Sequence, residues 1–201
     1  AFEVKTFLLA GHETTSAMLT WALHEMTGQA GTCERVAAEA HSVFPGGCLP
    51  EGHRFDGQGL EYTQACLKEA LRLRSPVPLV VRVAIKDDEL MGGYPIPQGA
   101  RVVPLIKAVH DREDLFTKAG AYKPERFLRG GGDPPGFMAF LAGPRACPGK
   151  GLSFLEGRVV LARLLQRYTF RPEPGSAVEP DDAVIPIGPK GGLHMRVERR
   201  R

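Results

Sequence analysis

The stretch Phe140-Leu-Ala-Gly-Pro-Arg-Ala-Cys-Pro-Gly149 decides how this chain is read. One cysteine, Cys147, is framed by Gly143 and Gly149, with an arginine two residues before it and a phenylalanine seven before it. A thiolate that binds a metal from a tight loop needs such surroundings. The glycines permit backbone angles and close approaches that a β-carbon would forbid. Pro148 suits the first turn of a helix, where its missing N–H is no loss, and Lys150 to Tyr168 reads as that helix. Cys147 then lies at a helix N-terminus, where the macrodipole favours a negative sulfur. A lone cysteine is most often a buried structural thiol. Here the surrounding pattern, Phe-x-x-Gly-x-Arg-x-Cys-x-Gly, sets five identities over ten positions, more than chance readily supplies.

Composition sets the frame. With 201 residues, the chain is long enough for one sizeable core, and 43% hydrophobic content is ordinary for a globular protein. A formal charge of +3 is too small to argue for nucleic acid. No run of 18 apolar residues spans a membrane, and no signal peptide pattern is present. The four cysteines, Cys33, Cys48, Cys66 and Cys147, are dispersed. They form neither a zinc motif nor a disulfide scaffold, and fit a reducing compartment or a cytosolic face. The chain opens on Ala1 with a helical pattern already under way, which suggests a piece whose N-terminal part is missing.

Elements follow from periodicity and punctuation. Glu3 to about Thr27 reads as a long, central buried helix, apolar around most of its surface. Cys33 to Phe44 reads as a second helix, ended by Pro45-Gly46-Gly47, with loop from Cys48 to Gly59. Leu60 to Leu73 is a third helix, stopped by Ser75-Pro76. Leu79 to Ile85 and Arg101 to Ile106 read as strands. Lys107 to Arg129 is mostly irregular, and Gly130 to Gly136 is a linker-like loop. A closing hairpin is expected from about Val184 to Val197. The expected fold is mostly α with a small β portion, one partial domain over residues 1–201.

Three further strings carry chemistry. Ala10-Gly-His-Glu-Thr-Thr-Ser16 places a glycine inside a helix, at a cost of roughly 1 kcal/mol relative to alanine. Ala10, Gly11 and Thr14 would leave a shallow notch holding water or dioxygen, with Glu13 supplying protons. The plainer reading is a helix kinked by threonine hydroxyls bonding back to carbonyls one turn earlier. Glu69-Ala-Leu-Arg72 is a helical pair at i, i+3, commonly a surface ion pair. Pro124-Glu-Arg-Phe127 adds Arg126 in a meandering segment.

In this order and spacing, these strings and the cysteine loop resemble the C-terminal half of the cytochrome P-450 family, the haem-thiolate monooxygenases. The resemblance covers essentially the whole chain. It implies the C-terminal part of that fold, a haem b cofactor (iron protoporphyrin IX) and Cys147 as axial iron ligand. It implies Thr14 as proton-delivery alcohol with Glu13 as acid partner, and Ala10 and Gly11 facing the haem. Arg145 and Arg82 match propionate-binding positions, as arginine suits carboxylates. Phe140 would shield the thiolate and Gly149 would let the cofactor approach. Glu69, Arg72 and Arg126 match a buried ionic triad behind the haem loop, and His110 matches a structural position. Leu79, Val80, Ile187 and Gly188 match substrate-contacting loops.

The implied activity is dioxygen activation to hydroxylate or epoxidise an apolar small molecule such as a fatty acid, carotenoid or sterol. Electrons would come from NADPH through a reductase or ferredoxin partner. Membrane contact, at the endoplasmic reticulum or a plastid, would depend on an anchor or transit peptide in the missing N-terminal part. Two alternatives stand beside this reading. One is a non-catalytic, truncated haem-binding or interaction protein. The other is a haem-thiolate enzyme that rearranges peroxides, a group that often loses the threonine found here as Thr14.

Overall fold

Four helices carry the core, and the sequence explains their faces. The computed structural model describes residues 2–47, 57–128, 130 and 132–200. The helices are α1 (Phe2–Thr27), α2 (Thr32–Val43), α3 (Glu61–Leu73) and α5 (Lys150–Arg167), with a short α4 (Ile106–His110) between the last two. The protein is mostly α with small antiparallel sheets, as the sequence indicates. Of the expected loop after α2, residues 48–56 lie outside the described residues, as do 129 and 131 near the glycine-rich stretch.

Helix α3 sits among α1, α2 and α5. Cys66, Leu67, Ala70 and Leu71 of α3 meet Met18, Ala22 and Met26 of α1, Val36 of α2, and Phe154, Leu161 and Leu165 of α5. Gly157 is where α5 comes closest: a β-carbon there would lie 2.9 Å from Met18 Cε and 3.0 Å from Leu67 Cδ1. The first turn of α3 has no cap from its own N-cap residue, Leu60. Glu39 of α2 replaces it, accepting from Tyr62 N at 2.7 Å and from Thr63 N and Oγ1 at 2.8 and 2.7 Å. A carboxylate at a helix N-terminus is stabilising for both hydrogen bonding and the dipole.

Three expectations change. Helix α1 is not buried along its length. Val4, Phe7, Leu8 and Leu9 are all more than half exposed, and burial begins at Thr15, because no described part of this chain packs on the first three turns. The expected strands Leu79–Ile85 and Arg101–Ile106 shrink to β1 (Arg82–Val83) and β4 (Arg101–Val102), which pair antiparallel, plus a single bridge between Leu79 and Leu105. Between them lies a second hairpin, β2 (Asp88–Leu90) with β3 (Tyr94–Ile96).

The third change concerns the C-terminus. The closing strand β6 (Met195–Arg199) does not pair with Val184–Ile187. It pairs with β5 (Tyr168–Pro172), which leaves the end of α5 without a break. Tyr168-Thr-Phe-Arg-Pro is β-favouring, and Pro172 cannot continue a helix. Segment 184–187 instead lies against α1 and the Pro76 turn: Trp21 Nε1 donates to Ile187 O at 3.0 Å, and Ile187 N donates to Pro76 O at 2.8 Å.

Candidate functional site

The cysteine loop is a run of tight turns that ends at α5. Leu141 N donates to Met138 O at 2.9 Å, and Cys147 N donates to Phe140 O at 2.9 Å. Gly143 adopts φ 74°, the left-handed conformation that glycine holds at least cost. Leu141 holds φ 61° without being glycine. That costs roughly 1–2 kcal/mol, and such strain concentrates at functional sites. Gly149 has φ −80°, an ordinary helical value, and a β-carbon there would be in normal contact with Cys147 Sγ at 3.7 Å. It needs no special backbone angle.

Cys147 is exposed, whereas Cys66 is buried and Cys33 half-buried. Burial pushes the thiol of Cys33 up to about 11 and that of Cys66 up to about 12, so both stay protonated and unreactive. The loop is braced from the side by Asp133, which pairs with Lys68 of α3 and, at 3.2 Å, with Lys150 of α5. Partial burial works against ionisation of Asp133, but Lys68 and Lys150 outweigh it and hold the carboxyl below its usual range.

An apolar cleft opens between the loop and α1. Cys147, Phe140 and Leu141 line it from the loop, Thr14, Thr15 and Met18 from α1, and Val77, Val80 and Ile106 from the connections after α3. The space between these walls is about 140 Å³. Thr14 donates its hydroxyl proton to Ala10 O at 2.6 Å, the back-bond expected of a mid-helix threonine. Thr15 is buried and exchanges a 3.3 Å hydrogen bond with Ser153 of α5, tying the two walls together. Ala10, Gly11 and Glu13 are exposed, and a β-carbon on Gly11 would meet open space. Among the described residues nothing lies over Gly11 in this notch.

Behind the loop, Glu69 and Arg72 are fully buried. Arg72 grips Glu69 with two bonds, Nε to Oε2 at 2.9 Å and Nη2 to Oε1 at 2.8 Å. Arg126 Nε reaches Glu69 Oε1 at 3.0 Å and Lys123 N reaches it at 2.9 Å. Arg72 also donates to His110 O at 2.9 Å and Ala119 O at 2.7 Å. Glu69 and Arg72 share one turn of α3, and the fold brings Arg126 from a separate segment into their network.

Arg82 on β1 is exposed and donates to its neighbour's carbonyl, Val81 O, at 3.1 Å. Arg145 is exposed on the turn before Cys147. Neither pairs with a carboxylate among the described residues. Val80 lines the cleft, but Ile187 faces a separate hollow beside Trp21. Sequence reasoning missed Ser75 and Ser153, whose single hydroxyls carry no motif, and gave no role to Thr15 within the α1 string or to Leu141, whose φ no residue type announces.

The fit to a haem follows from the donor set. Among the described residues no group of three His, Cys, Asp or Glu side chains could hold a bare metal ion. One exposed thiol in an apolar cleft suits a metal that brings its other ligands with it in a flat apolar ring. Two arginines without carboxylate partners suit the ring's acidic arms.

Comparison with known proteins decides the family. The cytochrome P450 family profile matches residues 1–194. The chain belongs to the cytochrome P450 family. It is 30% identical to cytochrome P450 4c3 of Drosophila melanogaster over 98% of its own length and 37% of that protein's. It is 34% identical to a cytokinin hydroxylase of Arabidopsis thaliana, over 96% of this chain and 37% of that one. A self-sufficient cytochrome P450 monooxygenase of Exserohilum turcicum is 36% identical over 82% of this chain and 16% of its own. The chain thus spans less than two fifths of the length of the P450 relatives it matches.

Proposed function

We propose that this chain is the thiolate- and oxygen-handling part of a haem-thiolate monooxygenase acting on an apolar substrate. The single observation that carries the reading is that Cys147, the one exposed thiol among the described residues, shares an apolar cleft with Thr14 of α1. Relatives named as hydroxylase and monooxygenase support it. Bound haem would supply an iron whose thiolate ligand donates the electron density that favours O–O cleavage.

The residues take the supporting parts. Cys147 would ligate the iron from the N-terminal end of α5. Phe140, packed on Phe154 with centroids 5.0 Å apart, would keep water from the sulfur. Arg145 and Arg82 would pair with the propionates. Gly149 would leave the loop's edge thin, and Ala10 and Gly11 would present the low surface of α1. Thr14 gives its only proton to Ala10 O, so as held it can only accept a hydrogen bond. To pass a proton on, its hydroxyl turns away from Ala10, and exposed Glu13 one residue earlier refills it from solvent. The balance is one substrate C–H, one dioxygen, two protons and two electrons giving one hydroxyl and one water. The electrons would come from NADPH through a reductase or ferredoxin, and fatty acids, carotenoids and sterols are the substrate classes that suit the apolar walls.

The test is turnover of the full-length protein with labelled dioxygen. One labelled atom in the product, and continued dioxygen uptake with little product after Thr14→Ala, is the expected result. Steady product formation from a peroxide without dioxygen or reductase would favour the rearranging class instead.

A further inference from the structure

His110 sits where the buried ion network meets the cysteine loop. It ends α4 and has no exposed surface. Its ring stacks on Phe137, with centroids 5.5 Å apart and planes 13° apart, and meets the edge of Phe116 at 6.1 Å. Met138 N lies 3.0 Å from Nε2. A backbone N–H can only donate, so Nε2 must be the unprotonated nitrogen. The proton of the neutral ring then sits on Nδ1 and is donated to Ser75 Oγ at 3.1 Å. Ser75 Oγ passes its own proton to Leu71 O at 2.9 Å. The one arrangement that satisfies all four atoms is the Nδ1–H tautomer.

The carbonyl of the same residue accepts from Arg72 Nη1. His110 is therefore bonded to the Glu69–Arg72 pair through its backbone and to the start of the cysteine loop through its ring. From Met138 the path continues through Leu141 N to Met138 O and Cys147 N to Phe140 O. Arg72 of α3 faces the ring, with Lys107 and Asp111 on its own helix and the turn after it. Burial and the Arg72 charge both favour the neutral ring.

We propose that His110 is a positioning residue for the thiolate, its Nδ1–H tautomer anchoring Met138 and so fixing the loop that presents Cys147. The proposal rests on the reading of Cys147 as iron ligand. It separates His110 from an ordinary core ring, because the acceptor at Nε2, and not the ring's bulk, is what the loop requires.

The experiment compares His110→Phe and His110→Gln in the full-length protein. Phenylalanine keeps the stack and loses the acceptor, whereas glutamine restores an acceptor near the Nε2 position. Two readings are taken: amide hydrogen exchange, and the share of thiolate-type band in the reduced carbon monoxide adduct. In His110→Phe the amides of residues 138–147 should exchange roughly tenfold faster, as expected for one lost buried hydrogen bond, while those of α3 stay unchanged. The thiolate-type share should fall, and His110→Gln should recover most of both. Unchanged loop exchange in His110→Phe, equal acceleration of loop and α3, or no recovery with glutamine would overturn the proposal. A wild-type protein with no thiolate-type band would instead overturn the Cys147 reading on which it rests.

Discussion

At the residue scale, His110 gives the protein a pH signature. Burial, then the charge of Arg72, lowers its pKa from 6.5 to about 4. Because the folded value is the lower one, the unfolded chain binds a proton that the folded chain refuses. Stability is complete above about pH 6.5 and falls as pH drops towards 4, by up to about 3 kcal/mol from this residue. His24 of α1 is shifted in the same direction, again first by burial. Urea denaturation across that range should show the wild type losing stability faster than His110→Gln, whose side chain does not titrate. Parallel pH dependence would contradict the assignment. At Leu141 the surrounding turns hold a left-handed φ that the residue would not adopt by itself.

At the element scale, the helices meet where side chains are small. Gly157→Val should destabilise the protein by roughly 1–3 kcal/mol, because the new methyls must displace Met18 and Leu67 from their places between α1, α3 and α5. Thermal denaturation checks this, and an unchanged midpoint would show that those side chains yield freely. The helices were legible because their apolar periodicity and stops are local: Pro45-Gly46-Gly47 after α2, Ser75-Pro76 after α3. The sheet was not. Whether Tyr168–Pro172 continues α5 or becomes a strand depends on β6, more than twenty residues further on. Helix α4 is too short to show a period. The exposure of the first half of α1 was misread for a related reason, since an apolar pattern states what a surface would bury and not what is there to cover it.

At the scale of the whole molecule, the candidate site is an assembly of distant segments. The loop motif was legible, because its identities lie within ten residues. The Glu69–Arg72–Arg126 grip was expected only from a resemblance, and its geometry comes from the fold. The Ser75–His110–Met138 bonds had no sequence signal, since each joins common residue types far apart in the chain. All of these converge on one sulfur at the mouth of one cleft. The most direct measurement is therefore the absorption spectrum of the reduced carbon monoxide adduct of the full-length protein, wild type against Cys147→Ser. A thiolate-type band that disappears in Cys147→Ser is the predicted result. The same band unchanged in that variant would show that the iron takes its ligand elsewhere.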